Sequence, residues 1–74
     1  MFTESQMVMA FSGLQDGQLR YRLRKARNAF RYFENLDLDT DERIFWQTQV
    51  RAIQGVIANR RADYKAVLDR LSRQ

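Results

Sequence analysis

Four arginines, Arg20, Arg24, Arg27 and Arg31, recur at spacings of four, three and four residues. That is the repeat that lines side chains along one edge of an α-helix. A guanidinium presents a planar fork of donors that pairs bidentately with a carboxylate or a phosphate. The edge can therefore receive acidic side chains or a nucleic-acid backbone, and spacing alone does not choose between them. The arginines lie within "LRYRLRKARNAFRYF", residues 19 to 33, which holds six basic residues, four aromatics and no acid. Winding it at 3.6 residues per turn separates the mixture. Leu19, Leu23, Ala26, Phe30 and Phe33 form an apolar stripe beside the arginine edge, while Arg22 and Lys25 fall on other faces. The simplest role for the arginines is a solvated border whose aliphatic stems cover the margins of a core. Their role beyond that is a binding ridge.

A second group with chemistry follows at once. Residues 34 to 42 carry Glu34, Asp37, Asp39, Asp41 and Glu42 and no basic residue. Asp37, Asp39 and Asp41 imitate the start of a calcium loop, but Glu42 stands where the loop needs glycine and Thr48 where it needs a bidentate glutamate. No metal site is expected there. Carboxylates are favourable at a helix N-terminus, which accounts for much of the cluster.

Aromatic and aliphatic residues flank this acidic turn: Phe30, Tyr32 and Phe33 before it, Ile44, Phe45 and Trp46 after it. Three consecutive helical residues span about 200° and cannot all face one partner helix. Tyr32, Phe33, Phe45 and Trp46 are thus expected to form an aromatic tip that binds another molecule, with Arg20, Arg24, Arg27 and Arg31 beside it.

Catalysis is not expected. The chain has no His and no Cys, which removes the common acid–base and nucleophilic arrangements and the usual zinc ligands. No glycine-rich phosphate loop or nucleophile elbow is present. No cofactor and no small-molecule substrate are implied.

The elements that position these groups are legible from periodicity. Trp46, Val50, Ile53, Ile57, Arg60, Tyr64, Val67 and Leu71 make a heptad seam with one charged member. Asp39, preceded by Leu38 and followed by Glu42, reads as its cap, and the helix is expected over 40–72. A second helix is expected over 16–36, with Leu14 and Leu19 able to form a hydrophobic staple. A third is expected over 4–12, capped by Thr3 and Gln6, with Met7, Ala10, Phe11 and Leu14 continuing an apolar face. Gly13 and Gly17 mark the break between these two pieces. Gly55 interrupts the long helix and would permit close approach of another helix.

The expected fold class is all-α: a long antiparallel, coiled-coil-like helical hairpin with a broken first arm, residues 1–74 forming a single domain. Residues 4–12 are expected to supply the length that the first arm lacks. The short polar connection favours antiparallel neighbours and brings Asp16 opposite Arg60 as a buried or half-buried ion pair. A core of this size without disulfide or metal calls for regular helices or a second chain, so a homodimeric four-helix bundle is expected.

Net charge is +4 and pI about 10.1. The longest apolar run is residues 7 to 11, far below the roughly 20 needed to span a bilayer, and no secretory signal is evident. A soluble cytoplasmic protein without membrane contact is expected. The leading functional expectation is a small regulator or inhibitor that binds a protein partner. The alternative is a dimeric nucleic-acid binder using the same arginines. The absence of a helix-turn-helix or zinc module and the packing role of the aromatics weigh against it.

Overall fold

The computed structural model describes residues 3–36 and 40–73. It is all-helical: α1, Glu4–Phe11; α2, Asp16–Asn35; and α3, Asp41–Ser72. These bounds differ from the expected ones by one residue at the ends of α1 and α2 and at the start of α3. No described residue is in a strand, and no helix is long and apolar enough to cross a membrane.

The helix starts show why they form where they do. At α1, Thr3 and Gln6 close a capping box: the Gln6 amide donates to Thr3 Oγ1 at 3.2 Å and the Thr3 amide to Gln6 Oε1 at 2.9 Å. At α2, the Gln15 amide donates to Gln18 Oε1 at 3.0 Å. At α3 the cap is Thr40, whose Oγ1 accepts from the Arg43 amide at 3.3 Å. The expected cap, Asp39, and its neighbour Leu38 lie outside the described residues. Asp41 and Glu42 occupy the first turn, where negative charge meets the positive end of the helix dipole.

The core comprises Met7, Phe11, Leu19, Ala26, Ala52, Ile53 and Val56, with Leu19 and Ile53 its largest fully buried members. Leu14, Leu23, Phe45, Trp46, Val50 and Ile57 pack against it. α3 contacts both other helices. Arg60 reaches Asp16 at the start of α2, 2.7 Å away. Arg43, at the start of α3, lies over the ring of Phe30 at 6.0 Å from its centroid.

One expectation is corrected here. Residues 4–12 do not lengthen the first arm along the far end of α3. The chain turns at Ser12–Gln15, and α1 packs back onto the middle of the molecule. Phe11 lies beneath the Arg22 guanidinium, 5.7 Å from its ring centroid, and Met7 and Phe11 share a core with Ala52, Ile53 and Val56. The reason is visible in α3. Its middle carries two adjacent apolar lines, the heptad seam (Val50, Ile53, Ile57) and a second one (Ala52, Val56). A single helix cannot cover both. Beyond Arg60 only one line continues, so α1 buries more apolar area in the middle than it would at the far end.

The reading of Gly55 is also corrected, whereas Gly13 lies in the break between α1 and α2 as expected. A Cβ at Gly13, Gly17 or Gly55 would meet nothing within 4 Å. Gly55 therefore marks no close helix approach within the chain.

The outcome is elongated. The principal extents are 54 × 21 × 17 Å and the radius of gyration is 15.2 Å, against about 11 Å for a compact chain of this length. α3 has 32 residues and α2 has 20, a mismatch of about 18 Å at 1.5 Å per residue.

Candidate interaction surfaces

Arg20, Arg24, Arg27 and Arg31 are all exposed along one edge of α2. They flank a shallow channel that also contains Leu23 and Asn28. Among the described residues the only ion pair is Asp16–Arg60, so none of these four guanidiniums is paired with a carboxylate of a described residue. Arg22 and Lys25, off this edge, instead lie over aromatic rings, of Phe11 and Tyr21 respectively. The structure thus separates two kinds of cation. Arg22 and Lys25 lie over rings, and the four on the edge face outward.

The Asp16–Arg60 pair forms at the place expected, but with more to it than a pair. Arg60 Nη1 donates to Asp16 Oδ1, while Nη2 donates to the carbonyl of Ser12 at 2.9 Å and to that of Leu14. Its guanidinium ties the α1–α2 turn to α3. The expected burial is corrected: Arg60 is half-buried at 34%, but Asp16 is 77% exposed, so the ion-pair component is weak. The carbonyl contacts, between segments more than forty residues apart in sequence, fix where the turn sits.

The expected aromatic tip divides. Phe45 and Trp46 are half-buried and pack against the core, edge to face with each other at 5.2 Å between ring centroids. Phe33 is half-buried, and Tyr32 is 61% exposed, edge to face with Phe33 at 5.3 Å. The outward-facing apolar groups at this end are therefore Tyr32, Leu36 and Ile44, the last 45% exposed. Ile44 was signalled by the rule that three successive residues cannot face one way; which of the three turns outward depends on packing. Asp37 and Asp39 of the acidic turn lie outside the described residues. No group of three acidic residues able to hold a metal occurs among the described residues.

A surface that periodicity alone did not reveal lies at the other end. From Arg61 to Ser72 every residue of α3 is exposed, including Tyr64 at 67% and Leu71 at 62%. The heptad continues there with nothing against it. The length difference between the two expected helices was the signal that could have found it.

No protein-family model matches the chain, and no match was found among curated proteins or solved structures.

Proposed function

We propose that this chain is a small, non-enzymatic, cytoplasmic regulatory protein that binds another protein and modulates its activity or assembly. In this reading α2 and α3 act as a helical hairpin, two copies associate, and the aromatic end anchors the partner while the arginine edge orients it. One observation carries the proposal: a row of four exposed arginines, unpaired with any carboxylate among the described residues, runs to an end where Tyr32, Leu36 and Ile44 stand exposed. Large apolar groups grouped on a surface and flanked by Arg have the make-up of interface anchors. Charged residues beside them raise the rate of encounter with an acidic partner. Phe45 and Trp46 support the anchor from beneath, since they pack on the core.

The same arginines suit phosphate, which keeps a dimeric nucleic-acid binder as the second reading. Two measurements separate the readings. Fluorescence anisotropy with random duplex DNA and single-stranded RNA at two salt concentrations is expected to show no binding. Binding at low salt that falls by orders of magnitude at high salt would establish the second reading in place of the first. Cross-linking capture from cell lysate is expected to yield a protein that Tyr32→Ala/Ile44→Ala loses, with helicity intact. Capture indifferent to that variant and to Arg24→Glu/Arg27→Glu would sink the proposed surface.

A further inference from the structure

We propose that a second copy of this chain packs antiparallel against the uncovered end of α3, joining two molecules through Tyr64, Val67, Leu68 and Leu71. This rests on the dimer proposed above and names where it forms.

The strip is apolar and uncovered. Tyr64, Val67, Leu68 and Leu71 are 46–67% exposed and share one face by their spacing of three, one and three residues. No described residue beyond Arg60 is buried. A helical stretch of this length without tertiary contact is marginal in water, so its order calls for something laid against it.

The area fits a second copy. The chain exposes 6052 Å², whereas a folded monomer of its 8.9 kDa mass exposes about 4,800 Å². The excess exceeds the roughly 800 Å² that each partner contributes to a standard interface. A two-fold dimer uses the same patch on both molecules and closes on itself. It therefore covers both strips and leaves none to propagate.

The direction follows from what already occupies the seam. Up to Arg60 the strip is covered by α2, whose start is held there by the Arg60 contacts to Asp16, Ser12 and Leu14. A second α3 laid parallel would run into that turn. Laid antiparallel, it overlaps only the free end and passes clear beyond Arg73. This direction also brings Asp63, at the body end of the strip, toward Arg70 and Arg73 at the free end of the other copy. Where the strip meets α2, a groove of about 560 Å³ opens between Asp16, Arg20, Leu23, Ile57, Arg61 and Tyr64. The last turn of the second α3 seats there.

The arrangement has a functional consequence. Each molecule is 54 Å long, and an overlap limited to the free ends sets the two aromatic ends about 70 Å apart at 1.5 Å per residue. Arg20 borders the seam, while Arg24, Arg27 and Arg31 stay open on both copies. The assembly would be a rod that engages two partner molecules at once.

Sedimentation over about a hundredfold range of concentration tests this. The native chain is expected to reach twice its 8.9 kDa mass. Leu68→Glu/Leu71→Glu is expected to remain monomeric with unchanged helicity, because both positions are exposed in the single chain. A native chain that stays monomeric at every concentration overturns both this proposal and the dimer it rests on. A dimer untouched by the double variant overturns the location alone. As the chain has no Cys, single spin labels give an independent reading. Labels at Ser72→Cys are expected close together, and labels at Asn35→Cys out of range of each other. The reverse pattern would place the seam at the aromatic end and defeat the proposal.

Discussion

The two halves of α3 are written in one heptad pattern and live in different surroundings. From Trp46 to Ile57 the seam is covered by α2 on one side and α1 on the other, and Ala52, Ile53 and Val56 are buried. From Tyr64 to Leu71 the same repeat runs on with no cover, and every side chain faces outward. The difference teaches that an apolar repeat announces that a face will be buried, but the number and length of the other helices decide what buries it. Here twenty residues of α2 cannot match thirty-two of α3. The eight of α1 go to the middle, where two apolar lines adjoin.

Substitutions can break this contrast, beginning with the largest effect. Ile53→Ala, at a fully buried position, should cost about 2–5 kcal/mol of stability in urea titration, from lost transfer energy and the cavity left behind. Arg60→Ala comes next. It frees the α1–α2 turn by removing donors from the Ser12 and Leu14 carbonyls as well as the ion pair, and should cost about 1–3 kcal/mol. Asp16→Ala sharpens that result. It removes only the exposed half of the pair and should cost below about 1 kcal/mol; equal losses from the two would make the carboxylate, and not the turn, the purpose of Arg60. Gly55→Ala should raise stability by about 1 kcal/mol, because helix propensity improves and the new Cβ meets nothing. A loss would reveal a helix seated against Gly55. The smallest effect is expected from Leu71→Ala in dilute solution, within about 0.5 kcal/mol, although its place in the heptad matches that of Ile57.

Much of the local structure was legible because it is set by neighbours in sequence. The Thr3–Gln6 box and the breaks around Gly13 and the acidic turn depend on residues a few positions apart, where capping geometry applies without knowledge of the rest. The Asp16–Arg60 contact was legible for a different reason. It is the one charge in an apolar seam, and the short connection sets which residue lies opposite. The path of α1 was not legible, since it turns on which of two surfaces of α3 gains more from cover, and that requires both surfaces in three dimensions. The tip was half legible. That one of Ile44, Phe45 and Trp46 must face outward follows from helix geometry, but Phe45 and Trp46 pack inward together, leaving Ile44 as the outward member. The arginine edge was placed correctly as a line on α2. Its partner is a matter of chemistry outside the chain.

Hydrogen exchange along α3 as a function of protein concentration bears most directly on the contrast between its halves. Amides from Ala62 to Ser72 should exchange quickly when the protein is dilute and become protected as concentration rises, while those around Ile53 are protected throughout. Rates in the outer half that do not change with concentration would contradict this, and would leave the end of α3 as a helix with nothing of its own kind to cover it.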